Sequence, residues 1–242
     1  MSIKPKNIVI FGAGGAIGSA FIRHLSETHS DASIHAFSRQ TPTNILSGVS
    51  YHAIDYTDET SIEKAAREAA GNGPPDLVIV AIGILHDDKV KPEKSLKQLS
   101  AEKFQYLFAI NTVTPALIAK YFLPIMNRQQ PYVFAALSAR VGSISDNQLG
   151  GWYAYRASKA ALNMIIRNAA IEIGRCNKQA IIVALHPGTV DSNLSGPFQH
   201  GVPDDQLFTP DYATGKLLAV LDNLTPQQSG KFFAWDGEEI SP

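Results

Sequence analysis

The sequence has very little cysteine and almost no net charge. Cys176 is the one cysteine in 242 residues, which excludes an internal disulfide and is typical of a reducing compartment. The formal net charge of −1 gives no electrostatic reason to expect nucleic acid or an anionic membrane as a partner. Cysteine and histidine form no cluster with the spacing of metal ligands, so we predict no metal site.

Long hydrophobic runs are also missing. The apolar run at residues 8–11 is too short for the core of a signal peptide, and glycines interrupt it at once. We read no apolar stretch as long enough to cross a membrane. We therefore expect a soluble, cytoplasmic protein that forms a single domain over residues 1–242.

The chain does contain short apolar, β-branched runs that alternate with runs of helical periodicity. This alternation predicts an α/β fold, namely a doubly wound, Rossmann-type three-layer sandwich with a parallel sheet of about seven strands. Ligands of such sheets bind outside the carboxyl ends of the strands. The strands are predicted at residues 7–11, 33–37, 49–54, 77–82, 132–137, 180–185 and 231–235.

A glycine-rich segment follows the first predicted strand directly. It reads Gly12-Ala13-Gly14-Gly15-Ala16-Ile17-Gly18 and runs into a predicted helix. Glycines let the backbone approach a pyrophosphate, and the N-terminus of the next helix supplies N–H groups and a positive dipole. We predict a dinucleotide-binding turn in which Gly12, Gly14, Gly15 and Ile17 contact the cofactor.

The end of the second predicted strand bears on which cofactor is bound. NAD-binding folds often place an acidic residue about twenty residues past the glycines, where it holds the adenosine ribose. Here the chain reads Ser38-Arg39, and a hydroxyl with a guanidinium suits a 2′-phosphate. We predict NADP(H) in preference to NAD(H). The alternative is that Arg39 is a solvated surface charge.

Tyr155 and Lys159 lie four residues apart at the start of a long run with helical periodicity. Residues i and i+4 share one face of a helix, so the ammonium is expected near the phenol. A nearby positive charge favours the phenolate, which predicts a lowered pKa for Tyr155 and proton transfer near neutral pH. The alternative is a surface lysine beside a packed tyrosine.

Asn111 and Pro115 fall inside a helix predicted at residues 101–126. Pro115 removes a helical hydrogen bond, which predicts a distortion and a freed carbonyl near Asn111. A structural polar kink and a proton-relay site both remain open at this position. His86 lies in a polar loop at residues 84–99, and we interpret it as solvent-exposed, with a catalytic histidine as the alternative.

Several further positions follow predicted strands. Gly83, Ser138 and the pair Pro187-Gly188 come at the carboxyl ends of the fourth, fifth and sixth strands. Together with the glycine-rich turn and Ser38-Arg39, they are expected to converge on one crevice. The polar loop at residues 193–206 predicts a mobile substrate lid, placed around residues 190–208.

At this point the motifs match a known family. Tyr155-Arg156-Ala157-Ser158-Lys159 looks like the Y-x-A-S-K motif, and the segment from Pro187 to Ser192 looks like P-G-x-V-x-T. The glycine-rich turn looks like T-G-x-x-x-G-x-G, with Phe11 and Ala16 as departures. Over nearly its whole length the chain resembles the short-chain dehydrogenases/reductases. It is most similar to the bacterial C-factor (C-signal) type and to the sniffer-like carbonyl reductases.

The resemblance implies an NADP(H)-dependent oxidoreductase that reduces a carbonyl, or oxidises an alcohol, on a small molecule by hydride transfer. It implies a homodimer or homotetramer as the assembly, with a monomer as the alternative, since related carbonyl reductases can be monomers. Tyr155 would be the general acid/base, Lys159 would lower its pKa and hold the nicotinamide ribose, and Asn111 would hold a water of the relay. Asp55 would contact the adenine, whereas Val190 and Ser192 would contact the carboxamide.

One departure from the family concerns the serine that polarises the carbonyl. It is usually the second residue of a Ser-Ser pair after the fifth strand, and here that pair reads Ser138-Ala139. Adjacent strand residues point to opposite faces, so Ser138 could replace it only if the backbone bends. Ser143 is another candidate. The departure keeps a second function open, a nucleotide-binding signalling or regulatory protein with weak or no catalysis.

Overall fold

The computed structural model describes residues 4–42, 44–128 and 130–242, with the backbone alone at Asp204. The helices are α1 (Ala16–Thr28), α2 (Glu59–Ala70), α3 (Ala101–Phe108), α4 (Thr114–Phe122), α5 (Tyr153–Cys176) and α6 (Pro210–Asn223). The strands are β1 (Asn7–Phe11), β2 (Ser33–Ser38), β3 (Val49–Ala53), β4 (Leu77–Val80), β5 (Tyr132–Leu137), β6 (Ala180–His186), β7 (Thr189–Val190), β8 (Leu207–Phe208) and β9 (Phe232–Ala234).

Seven of these strands form one parallel sheet, in the order β3-β2-β1-β4-β5-β6-β9. Helices α1 and α6 pack on one face, and α2, α4 and α5 pack on the other. The predicted doubly wound, three-layer fold is therefore confirmed. The strand order reverses direction between β1 and β4, which is the switch point where such sheets bind ligands.

The core explains why the strands read as continuous apolar runs. In β1, Ile8 and Ile10 face α1 and α6, while Val9 and Phe11 face the opposite helical layer. All four side chains are completely buried. Because both faces of the sheet are covered, the strand has no polar side and the usual alternation disappears.

The helical run from residue 101 is interrupted at the predicted place. A π-helical turn at Ala109–Val113 separates α3 from α4, and Thr114 N–H bonds to the Ala109 carbonyl instead of that of Ile110. Pro115 has no N–H with which to reach the Asn111 carbonyl, so the ordinary ladder cannot continue. The predicted distortion at Asn111 is confirmed.

The reading that no apolar stretch reaches transmembrane length is wrong. The helical run Ala101–Ile125 is 25 residues long, and its most apolar window has a mean hydropathy of 1.3. Leu107, Ile118 and Phe122 of this run are nonetheless buried in the protein core. Its apolarity is therefore used for packing against the sheet and α5 in this fold.

Candidate active site

The parallel sheet brings the carboxyl ends of β1, β2, β4, β5 and β6 to one edge. Gly12 begins the turn after β1 with φ +83°, and a Cβ there would lie 2.4 Å from the Ala81 carbonyl oxygen. A Cβ at Gly18 would lie 2.1 Å from the Gly12 carbonyl oxygen. These two positions accept only glycine, since any side chain would separate α1 from the sheet.

Gly14 and Gly15 form the exposed part of the turn, where α1 begins at Ala16 and Ile17 follows. No side chain caps α1, and its first turn carries no acidic residue. The N–H groups of this helix end therefore have no side-chain partner, and the positive end of the dipole faces the crevice. An anionic phosphate fits this position.

Tyr56 braces the glycine turn, a role that was not predicted from the sequence. Its hydroxyl donates to the Phe37 carbonyl at 3.0 Å and accepts from Gly12 N–H at 2.9 Å. Burial raises its pKa to about 12, so the phenol stays protonated and can make both bonds. Its place directly after Asp55, near a strand end, is the only sequence signal for this role.

Ser38 and Arg39 leave β2 next to this turn. A Cβ at Gly14 would lie 3.8 Å from Ser38 Cβ. The Ser38 side chain is buried, and its hydroxyl donates to the Gln40 carbonyl at 2.6 Å. Arg39 is exposed and makes no ion pair with the residues that the structure describes, so its guanidinium is available to an anion.

Asp55 already has a local structural use. Its Oδ1 accepts from the backbone N–H of Thr57 at 2.8 Å and from the Thr57 hydroxyl at 2.6 Å. These bonds hold its pKa below the usual value. The carboxylate is exposed and accessible to a ligand. Its contact with adenine, which the family resemblance implies, remains a prediction.

Tyr155 and Lys159 lie in the first two turns of α5, and both are buried. Lys159 Nζ lies 5.9 Å from the centroid of the Tyr155 ring and donates to the Leu137 carbonyl at 2.9 Å. The alternative of a surface lysine is therefore wrong. The two groups come together at the end of β5, on the same edge as the glycine turn.

The predicted lowering of the Tyr155 pKa is wrong for this form of the protein. Burial raises the pKa of the phenol above its ordinary value, and burial also lowers the pKa of Lys159 to about 8. Desolvation penalises both charged forms, and Lys159 directs its protons at a carbonyl. At neutral pH the phenol is consequently protonated and can act as an acid.

Asn111 clamps the loop that follows β4. Its Oδ1 accepts from Ile84 N–H at 2.8 Å, and its Nδ2 donates to the Ile84 carbonyl at 2.9 Å and to Ser158 Oγ at 3.1 Å. A Cβ at Gly83 would lie 3.3 Å from Lys159 Nζ and 3.6 Å from Asn111 Oδ1. The missing side chain at Gly83 thus leaves room for the lysine and the amide.

Ala139, rather than a hydroxyl, packs against the apolar cluster that contains Tyr155. The backbone at Ala139 is extended, with φ −149° and ψ 143°, which argues that Ser138 points to the other side. Ser138 Oγ is buried and has no hydrogen-bond partner among the described residues. Ser143 donates its hydroxyl to the Ser241 carbonyl at 2.5 Å, so it is engaged with the C-terminal segment.

The segment after β6 closes the crevice on the other side. Pro187 and Gly188 follow β6, and a Cβ at Gly188 would lie 2.6 Å from the Phe208 ring. Strand β7 then pairs in parallel with β8, through Val190 and Phe208. Ser192 donates its hydroxyl to the Val190 carbonyl at 3.2 Å. This pairing fixes both ends of residues 190–208, which we call the lid segment.

The lid segment rests on His86, which lies in the loop after β4 as predicted but is half-buried rather than fully exposed. Its Nε2 lies 3.1 Å from the carbonyl oxygens of both Asn193 and Leu194, and these acceptors assign the proton to that nitrogen. Phe198 packs edge-on against His86 and Trp152, with centroid distances of 5.3 and 5.0 Å. Phe198 and Leu194 of the segment therefore pack against the apolar cluster that contains Tyr155.

The depressed pKa of Lys159 predicts how stability depends on pH. The folded-state pKa of about 8 lies below the ordinary 10.5, so the unfolded chain binds more protons between these values. The free energy of unfolding of the wild type should then rise with pH, by on the order of 2 kcal/mol between pH 8 and 10, relative to Lys159→Met. Urea unfolding across this range measures the difference. Lys64→Met, at an exposed side chain, keeps Lys159 and should show the same rise as the wild type; an equal rise in wild type and Lys159→Met would contradict the assignment.

Comparison with known proteins agrees with this geometry. Residues 6–202 match the family model described as short chain dehydrogenase. The C-signal protein of Myxococcus xanthus is 37% identical over 133 residues, which cover 55% of this chain and 75% of that protein. The NADPH-bound carbonyl reductase from chicken fatty liver is 25% identical, with a TM-score of 0.86 over 99% of this chain and 100% of that one. The carbonyl reductase Sniffer of D. melanogaster shares the fold, with a TM-score of 0.83 at 21% identity, covering 98% of this chain and 99% of that one.

Proposed function

The chain belongs to the short-chain dehydrogenase family, and on this premise we propose that it is an NADP(H)-dependent reductase of small-molecule carbonyl compounds, able to oxidise the corresponding alcohols. The observation that carries the proposal is the buried pair Tyr155 and Lys159, at the sheet edge that also holds the glycine turn. The chicken carbonyl reductase, similar over nearly the full length, binds NADPH. A proton donor beside a dinucleotide turn is the arrangement that this chemistry needs.

The crevice fits a dinucleotide. Gly14 and Gly15 are exposed at the uncapped N-terminus of α1, so a pyrophosphate can lie against backbone N–H groups. The side chain of Ile17 is half-buried beside the turn. At the other end of the crevice, Gly83, Pro187, Gly188, Val190 and Ser192 would hold the nicotinamide half, and Asp55 would reach the adenine. When bound, the cofactor supplies or accepts the hydride.

The protein supplies the proton. In the direction of reduction, Tyr155, whose raised pKa keeps the phenol protonated at neutral pH, would donate its proton to the carbonyl oxygen of the substrate. Lys159 would hold a ribose hydroxyl and replenish the proton, since its own pKa of about 8 is close to the working pH. Asn111, already bonded to Ile84, would keep the adjoining backbone in place and hold a water of the relay.

The proposal is tested by measuring NADPH consumption by the purified protein with a panel of aldehydes, ketones and diketones. Turnover of at least one carbonyl is expected, with product alcohol formed in equal amount to the NADPH oxidised. Separate titration of NADPH, followed by its fluorescence, shows whether the cofactor binds. Binding without turnover of any carbonyl would sink the enzymatic proposal and leave the scaffold as a nucleotide-binding protein.

The preference for NADP(H) rests on Arg39 and has its own test. Replacing Arg39 with alanine removes a charge-assisted contact to the 2′-phosphate, worth roughly 1.5–3 kcal/mol, so the Kd for NADPH should rise about 10- to 100-fold. The Kd for NADH should stay unchanged. Arg67→Ala is a matched control, because Arg67 is exposed and pairs with Glu63 on α2. An equal loss of both cofactors would show that Arg39 does not read the phosphate.

A second function, nucleotide-dependent regulation without efficient catalysis, is favoured by one observation. Ala139 packs against the cluster around Tyr155, where a hydroxyl to polarise the substrate is expected. The similarity to a protein named C-signal is compatible with the same function. NADPH binding that changes the protease sensitivity of the lid segment, together with no turnover, would support this function.

We also propose a cytoplasmic location and a homodimer or homotetramer. The exposed Cys176 thiol, the only cysteine, is compatible with a reducing compartment. Val113, Met164 and Ile171, which belong to the π turn and α5, are exposed apolar side chains that a partner subunit could cover. Light scattering on the purified protein gives the assembly mass directly.

A further inference from the structure

Glu93 is a buried carboxylate in the polar loop between β4 and α3. Its side chain is 1% exposed, although lysines flank the residue in sequence. One carboxylate oxygen, Oε2, accepts from Ala154 N–H at 3.3 Å. The other, Oε1, is buried without a hydrogen-bond partner among the described residues. Burying a carboxylate is costly unless it is fully hydrogen-bonded, and here only one of the two oxygens has a partner among the described residues.

Its backbone is engaged at the same place. The Glu93 carbonyl accepts from Trp152 N–H at 2.6 Å. Trp152 is the one described non-glycine residue with positive φ, at +49°, and follows Gly150 and Gly151, which have φ +63° and +65°. Three successive left-handed residues are an unusual backbone that needs outside support. Glu93 supplies part of that support from another segment of the chain.

Helix α5 has no cap of its own. Trp152 occupies the N-cap position and has no side-chain acceptor, and the first turn contains no acidic residue. A capping side chain ordinarily accepts from the second or third helical N–H, and Ala154 is the second. The carboxylate of Glu93 therefore takes the place of the missing cap, and its negative charge lies at the positive end of the helix dipole.

The first turn of α5 carries Tyr155, and Trp152 connects Tyr155 to the lid segment. The Trp152 ring lies 6.2 Å from the Tyr155 ring and 5.0 Å from the Phe198 ring, measured between centroids. We infer that Glu93 is a positioning residue of the reaction: by capping α5 from outside and holding Trp152, it sets the Tyr155 hydroxyl and the seat of the lid. This inference rests on the proposed role of Tyr155.

The test compares Glu93→Ala with Asp58→Ala. Asp58 also caps a helix with its carboxylate, accepting from the second helical N–H, Thr60, at 2.9 Å, but at the start of α2. Glu93→Ala should lower kcat for carbonyl reduction at least tenfold, with the Kd for NADPH unchanged. Asp58→Ala should lose stability with kcat within about twofold of wild type. Glu93→Gln keeps an acceptor for Ala154 and should retain at least a third of kcat.

Three outcomes overturn the inference. The first is that kcat of Glu93→Ala is as high as kcat of Asp58→Ala. The second is that Glu93→Ala loses NADPH binding as well as kcat. The third is that Glu93→Gln is as inactive as Glu93→Ala. If Glu93→Ala does not fold, Glu93→Asp decides, since its shorter side chain withdraws the acceptor and keeps the charge; a wild-type kcat then counts against the inference. An inactive wild type that binds NADPH instead contradicts the proposed function, so the two failures are distinct.

Trp152 gives a spectroscopic check of the same idea. The chain has two tryptophans, so Trp235→Phe leaves Trp152 as the only one. In that background, Glu93→Ala should shift the Trp152 emission to longer wavelength, as the ring leaves Phe198 and meets water. Asp58→Ala should leave the emission unchanged. An unshifted spectrum in the Glu93 variant would show that Trp152 is held without it.

Discussion

Tyr155→Phe should lower kcat/KM for NADPH-dependent carbonyl reduction by about 10³-fold. The substitution removes the phenolic proton that Tyr155 is proposed to donate, while the ring keeps its contacts with Trp152. Because the glycine turn and Arg39 lie elsewhere in the crevice, the Kd for NADPH should stay within twofold. Steady-state rates and a fluorescence titration measure the two quantities on the same preparation.

Tyr153→Phe is the control for this result. Tyr153 precedes Tyr155 by two residues on the same first turn of α5, so the two changes are matched in chemistry and in helix position. Tyr153→Phe should keep at least half of the wild-type rate. Comparable rates for Tyr155→Phe and the wild type would show that another group donates the proton, and equal losses in both variants would point to damage of the helix.

Ala139→Ser should raise kcat/KM by about 10- to 100-fold. Removing one donor to a developing oxyanion costs roughly 10²–10³ in rate in enzymes that have one, and part of this should be recovered when a donor is added. Ala139 is partly buried against the cluster that includes Tyr155, so a serine hydroxyl there would lie on the Tyr155 side of the crevice. The gain should be largest for unactivated ketones, since an activated carbonyl needs less polarisation.

Ser138→Ala separates the two positions. If Ser138 polarises the substrate in this protein, its loss should cost activity and Ala139→Ser should add little. The extended backbone at Ala139 and the unpartnered Ser138 hydroxyl favour the opposite result, in which Ser138→Ala leaves kcat/KM unchanged. A rate for Ala139→Ser no higher than wild type would contradict the view that this site lacks a donor.

The three layers and the parallel strands could be predicted from the sequence because the information is local. The run at Asn7–Phe11 is apolar on both faces, which happens in a parallel strand covered by helices on both sides. Serine and threonine are residue types that favour helix N-caps, and Ser100 and Thr209 accept from backbone N–H groups of the helices that they precede. Pro115 predicted the helix distortion near Asn111, because a missing N–H removes a hydrogen bond only within its own part of the helix.

The chemistry of the site was less predictable, because burial is a property of the whole fold. The spacing of Tyr155 and Lys159 predicted that they meet, and it did not reveal that both would be withdrawn from water. Desolvation then decided the direction of both pKa shifts. The signal that could have warned of this is the run of small and apolar residues that follows Lys159.

Long-range partners were not predictable at all. Glu93 lies between lysines and resembles a solvated residue, yet it caps a helix that begins 60 residues later. His86 lies in the same polar loop and bonds to carbonyls of residues 193 and 194. Such contacts depend on which loops the fold brings together, and no local pattern of charge or hydrophobicity encodes them.

The pairing of β7 with β8 has a consequence for how this family can diversify. Because Val190 pairs with Phe208, the residues between them form a loop whose two ends lie side by side. Doubling the length of such a closed loop costs only about 0.6 kcal/mol of conformational entropy. Insertions between Val190 and Phe208 can therefore be accommodated at little cost to the fold, because the β7–β8 pairing keeps the two ends of the loop in place.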